Sequence, residues 1–153
     1  MSKVIFHILV AAFIFISCKS KVNTYKNDLG IKPATAAMMD SANYTKIEWK
    51  DTLLNFGQVK MGEKVSATFT FKNNGDKALF VSNAHSSCGC ATVDYSEDAV
   101  LPGEESKITA TFNNKYPPGP VHQTVAVTTN TREKIYHTLT FEFQSKDSSQ
   151  AIR

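Results

Sequence analysis

Between residues 46 and 143 apolar and polar side chains alternate with a period of two, and no other feature of the chain narrows its fold as much. In an extended strand successive side chains point to opposite faces, so this alternation makes ribbons with one apolar side and one wet side. Val65, Ala67, Phe69 and Phe71 alternate with Ser66, Thr68, Thr70 and Lys72. Ile108, Ala110 and Phe112 alternate with Lys107, Thr109 and Thr111, just past a Pro102-Gly103 turn. Val121, Gln123, Val125 and Val127 form another apolar line, and Ile135, Leu139, Phe141 and Phe143 a last one. Shorter candidates lie at 47–49, 58–61 and 91–94. Asn73-Asn74-Gly75-Asp76 offers residues that tolerate positive φ, which predicts a hairpin reversing into 78–83.

About seven short strands in roughly 100 residues, with no convincing helix between them, predict an all-β chain folded as an antiparallel β-sandwich rather than a parallel α/β sheet. Trp49, Phe56, Phe69, Phe71, Phe112, Phe141 and Phe143 are the expected filling between the sheets. Aromatics at alternating strand positions are core, not a ligand-stacking surface. Tyr116-Pro117-Pro118-Gly119-Pro120 reads as a stiff loop ahead of a strand, with Tyr116 a possible contact point.

The N-terminus departs from this pattern. Residues 4–16 are apolar except for His7, and Ser17 and Cys18 follow. A membrane-spanning helix needs about 20 apolar residues, so this shorter run is the core of a removable export signal, with Lys3 as its positive end. Phe15-Ile16-Ser17-Cys18 resembles a bacterial lipobox. That resemblance implies cleavage after Ser17, a diacylated Cys18 thiol and an acylated new amine. Each buried CH₂ contributes about 0.8 kcal/mol, so several acyl chains anchor durably where one binds reversibly.

Residues 18–45 are polar and aperiodic, and read as a lipidated flexible tether. Within them 34–42 can form at most a turn or two of helix, which is marginal in water on its own. The domain is expected over 46–144, with a disordered tail at 145–153. A net charge of +3, with Lys and Arg scattered rather than clustered with aromatics, excludes the electrostatic footprint of a nucleic-acid binder. No serine, histidine and carboxylate set, phosphate loop or paired-carboxylate motif is readable, so the chain is not expected to be an enzyme or to carry a resident cofactor.

His85-Ser86-Ser87-Cys88-Gly89-Cys90 is the most unusual stretch of the domain. With Cys18 lipidated, Cys88 and Cys90 are the only thiols left and each other's only intramolecular partner. Three chemistries fit. Gly89 lets the backbone fold tightly enough for a small, labile disulfide or redox pair. Two thiolates and the His85 imidazole can instead offer ligands to copper or zinc, although a structural zinc site wants a fourth ligand, from His122 or His137. Or the residues are small because the strand connection is tight. Cys-x-x-Cys at a helix N-terminus, the thioredoxin arrangement, is absent.

Phe56-Gly57-Gln58-Val59, Gly62-Glu63, Phe69-Thr70-Phe71-Lys72-Asn73-Asn74-Gly75, Ser87-Cys88-Gly89-Cys90-Ala91, Leu101-Pro102-Gly103-Glu104 and Thr129-Asn130, in that order, resemble the domain-of-unknown-function 1573 family. Similar proteins usually carry Thr directly after the second cysteine, where this chain has Ala91-Thr92. The resemblance implies an immunoglobulin-like module of the kind common in envelope lipoproteins of Bacteroidetes-type bacteria, and it brings no activity. The expected function is an envelope-anchored binding or assembly module, held to the membrane through Cys18, with another envelope protein or a cell-wall component as partner. The alternative is copper, zinc or thiol–disulfide handling at Cys88 and Cys90. Lys19-Ser20-Lys21 after the anchor lacks an acidic export cluster, so the expected location is the periplasmic face of the outer membrane.

Overall fold

The alternating stretches become the inner faces of two packed sheets. The computed structural model describes residues 33–147; the export signal and Cys18 lie outside the described residues. Eight strands follow in order: β1 (Ile47–Trp49), β2 (Leu53–Lys60), β3 (Lys64–Asn73), β4 (Val81–Ser86), β5 (Ala91–Tyr95), β6 (Glu105–Asn113), β7 (Gly119–Thr129) and β8 (Tyr136–Lys146). One sheet has the order β1-β3-β6-β5, the other β2-β8-β7-β4. Val65, Ala67, Phe69 and Phe71 on β3 face Val125, Val127, Leu139 and Phe141 of the second sheet across a single core. Phe69, Ile108, Ala110, Val125 and Leu139 are wholly buried. Each of these side chains apart from Ala110 contributes about 1.5–3 kcal/mol by leaving water. Among the described residues no helix is long and apolar enough to cross a membrane.

Four expectations need correction. First, the sandwich is not purely antiparallel: β2 pairs with β8 in parallel, Leu53 opposite Thr140 and Lys60 opposite Lys146. Its register shifts between Asn55 and Gln58, where Gly57 takes φ +64° and its N–H is accepted by Asn55 Oδ1 at 2.7 Å. Second, that bulge breaks the phase of two. Leu54 and Val59 both reach the core, while Phe56, expected inside, is exposed, its ring set T-shaped to Phe141.

Third, the 73–76 turn does not close a hairpin. β3 and β4 belong to different sheets, and no residue of that turn has positive φ. Asn73 explains the crossing. Fully buried, it donates to the carbonyls of Lys77 and Val100 at 2.7 and 2.8 Å and accepts from Thr45 Oγ1 and the Gly75 N–H. Gly75 is needed for closeness, since a Cβ there would collide with Thr45 and the Lys46 nitrogen. Fourth, the strand expected at 78–83 is displaced to Val81–Ser86, because Leu79 pairs instead with Val100 in an isolated bridge.

The packed body also starts before residue 46. A helix, α1 (Pro33–Met39), and a 3-10 turn (Ser41–Asn43) precede β1. Ala34 and Ala37 pack on Phe80, which supplies the apolar contact that so short a helix needs. At the other terminus β8 carries a buried Ser145, so the sheet runs past residue 144.

Candidate functional site

β4 ends at Ser86, and the chain crosses to β5 in the other sheet within four residues. The crossing is tied down on its first side: the Ser87 N–H donates to the Thr124 carbonyl at 3.1 Å, and Thr124 Oγ1 donates to Ser87 Oγ at 2.8 Å. Gly89 then adopts φ +64°, a left-handed conformation that a side chain would strain. The turn that results brings the Cα atoms of Cys88 and Cys90 to 5.2 Å, and their sulfurs are bonded to each other. Both cysteines are exposed to solvent.

The two sulfurs have unequal surroundings. Around Cys88 Sγ stand Ser86 Oγ at 3.3 Å, the Cys90 backbone N–H at 3.3 Å and Gln123 Oε1 at 2.8 Å. Cys90 Sγ meets only the Gln123 amide, at 3.4 Å. Gln123 sits on the inward face of β7, 5% exposed, and its Nε2 donates to the Tyr116 hydroxyl at 3.3 Å. Tyr116 stacks on Phe112 with ring centroids 5.9 Å apart. Beside the disulfide, Gly89, Cys90, Phe112, Asn113, Lys115 and Tyr116 line an open cleft of about 360 Å³. Cys90 borders this cleft and Cys88 does not.

Of the residues read from the sequence, Cys88 and Cys90 are brought together and His85 is not brought to them. The His85 ring lies against Asn83, 3.4 Å from Nδ2, and among the described residues no group of three or more His, Cys, Asp or Glu side chains could hold a metal ion. His122 pairs with Glu142 at 3.1 Å on the outer face of the second sheet. His137 is buried at the far end of the sandwich. Gln123 was not singled out as a site residue, Ser86 entered only as part of the cysteine stretch, and Tyr116 only as a contact point of its loop. The available signal was Gln123 itself, an amide in the middle of an otherwise apolar line.

The far end holds a larger cleft of about 470 Å³, whose lining includes Lys46, Glu48, Trp49, Glu133, Lys134 and His137. The Trp49 Nε1–H donates to His137 Nδ1 at 3.2 Å, so the neutral ring carries its proton on Nε2, which faces Thr129 Oγ1 at 3.0 Å and Thr131 Oγ1 at 3.1 Å. Burial pushes the His137 pKa below the usual histidine value, and the nearby Lys134 charge adds to the effect. A neutral histidine bridges β1 and β8, and thereby the two sheets.

A family model described as "Protein of unknown function (DUF1573)" matches residues 47–145. The chain belongs to this family. No curated protein matches it. Among solved structures it is similar to a protein of unknown function from Porphyromonas gingivalis W83, with a TM-score of 0.59 and 14% identity over 69% of this chain and 49% of that one. The chain thus spans about half the length of that structure, and the likeness is one of fold. A further similarity is to an ASH/PapD-like domain of human CEP192, with a TM-score of 0.49 and 18% identity over 70% of this chain and 89% of that domain.

Proposed function

We propose that this chain is an envelope lipoprotein, anchored through acyl groups on Cys18, whose DUF1573 domain binds or assembles with another envelope protein or a cell-wall component at the periplasmic face of the outer membrane. The observation that carries this reading is the β2 edge. Within its sheet β2 has a neighbour on one side only. Leu53, Phe56 and Met61, three of the six large apolar side chains left exposed among the described residues, lie on it or directly after it. Edge strands are normally blunted by charge, because their free N–H and C=O groups template pairing with another chain. An edge with apolar side chains has the chemistry of strand addition.

A photo-crosslinking residue at position 53, in the anchored full-length chain, should capture one partner that the same residue at exposed position 107 on the other sheet does not. Leu53→Glu with Met61→Glu should abolish the adduct, and equal capture at both positions would refute the edge reading. Separately, Cys18→Ala should move the protein from the detergent phase to the aqueous phase; retention in detergent would refute the anchor. A second reading, thiol–disulfide chemistry at Cys88 and Cys90, is favoured by the bonded, solvent-exposed sulfurs.

A further inference from the structure

We propose that the Cys88–Cys90 disulfide oxidises thiols that reach it through the cleft beside Tyr116, with Cys90 Sγ as the atom attacked and Cys88 as the departing thiolate. The inference rests on the thiol–disulfide reading and extends it by giving the two sulfurs different roles and naming the groups that separate them.

Exchange proceeds by attack of a thiolate on one sulfur while the other leaves, and the sulfur whose thiolate is better stabilised leaves faster. Cys88 is that sulfur. The Cys90 backbone N–H already points at it and Ser86 can turn its hydroxyl hydrogen towards it, while Gln123 presents its oxygen, an acceptor, until its amide turns. Hydrogen bonds to a charged group are about twice as strong as those between neutral ones, so these donors favour the thiolate over the thiol.

Gln123 can serve each state of the sulfur. Its oxygen accepts from a protonated Cys88 thiol. Turned through half a rotation, its NH₂ donates to the thiolate and its oxygen accepts from the Tyr116 hydroxyl, so no polar atom of the buried amide loses its partner. Tyr116 is the group that makes both orientations tolerable.

Access is unequal in the complementary sense. Cys90 lines the cleft while Cys88 is turned towards Ser86 and Gln123. The cleft also contains Lys115, whose charge favours an arriving thiolate, and the stacked Phe112–Tyr116 pair, which gives an apolar wall for the carbon chain behind it.

The steps balance. A substrate thiolate attacks Cys90 Sγ, an S–S bond forms between substrate and Cys90, the Cys88–Cys90 bond breaks, and Cys88 leaves as thiolate. A second substrate thiolate attacks the substrate sulfur of that mixed disulfide and Cys90 leaves, taking a proton from solvent. Two substrate thiols have been oxidised to a disulfide, and the Cys88–Cys90 disulfide has been reduced to a dithiol.

The cysteine substitutions fall in the exposed loop and leave the core intact. In reduced protein at pH 7, iodoacetamide should alkylate Cys88 (in Cys90→Ser) about tenfold faster than Cys90 (in Cys88→Ser). Adding Gln123→Leu to Cys90→Ser should remove most of that advantage, with an unchanged unfolding midpoint showing that the fold is retained. Equal rates, or a faster Cys90, would overturn the assignment of roles. Oxidised wild-type protein is then mixed with reduced glutathione or with a peptide bearing two cysteines, quenched in acid and mapped by mass spectrometry. An adduct on Cys90 supports the inference and one on Cys88 overturns it. Turnover of the peptide but not glutathione identifies a polypeptide substrate, and the reverse a small thiol. An intact Cys88–Cys90 bond with both probes would instead refute the thiol–disulfide reading itself.

Discussion

The two ends of the sandwich both bury polar side chains, and they use them differently. At the end where β3 finishes and β8 begins, Asn73, Asn130, Thr129, Thr131 and His137 are buried together. Asn130 accepts from the Phe80 N–H at 2.7 Å and donates to the carbonyls of Asn43 and Ala78 at 2.8 and 2.9 Å. Asn130's partners are backbone groups, none of which changes oxidation state. At the opposite end Asn114 works in the same way, donating to the Val59 and Lys60 carbonyls and to Ser145 Oγ. Gln123 beside it differs, since its amide ends on two sulfurs that can change oxidation state. A buried amide closed on backbone is a staple, and one that ends on exposed sulfur is, on the proposal above, part of a reaction site.

The sharpest way to break this contrast is Asn130→Ala. It removes the partner of the buried Phe80 N–H and one hydrogen bond from each of two carbonyls, and such losses cost about 1–3 kcal/mol each. Chemical denaturation should show a loss of at least about 3 kcal/mol and release of the α1 segment. Reducing the Cys88–Cys90 bond should cost less, because a loop this short gains little from closure: the chain-entropy relation gives about 1.6 kcal/mol at most. An unfolding midpoint that moved as far on reduction as in Asn130→Ala would make the disulfide a staple as well.

Acid should produce a more gradual loss. Folded His137 is held neutral below its ordinary pKa of 6.5, whereas the unfolded chain protonates it near that value. The unfolded state therefore takes up protons first, so this contribution to stability is complete above pH 6.5 and declines as the pH falls beneath it. His137→Gln should flatten that part of the stability–pH curve. The smallest change in stability belongs to Gln123→Leu, under about 1 kcal/mol, since an apolar side chain of similar volume replaces a neutral amide. Its effect is expected on thiol reactivity, and a large destabilisation without altered reactivity would move Gln123 into the class of staples.

Much of the architecture was legible because β3, β6, β7 and β8 each bury one face, and a half-buried strand must write that fact in its sequence with a period of two. β2 was not legible. Its bulge shifts the phase at Gly57, and parallel pairing with β8 depends on residues far away in the chain. The crossing after β3 was misread because Asn73-Asn74-Gly75 carries hairpin chemistry, whereas the structure uses Asn73 for its amide and Gly75 for its lack of a side chain. At the candidate site the cysteine pair announced itself by composition. Gln123 and Ser86 did not, because contact between β7 and the β4–β5 crossing exists only once the sheet order is known. Position 123 reads differently afterwards: a glutamine among valines on an inward face needs a buried partner, and Tyr116 and the sulfurs supply it.

The pairing of β2 with β8 has a consequence in time as well as in space. Asn55 bonds to Glu142, a separation of 87 residues, and β8 is the strand on which both β2 and β7 rest. Until the last strand has emerged from a ribosome or a membrane pore, the second sheet has no centre and the first has no surface to lie against. Topologies dominated by such distant pairings fold in milliseconds to seconds rather than microseconds. A domain of this design stays loose until its eighth strand is made, the condition in which a polypeptide can still be threaded through a narrow pore.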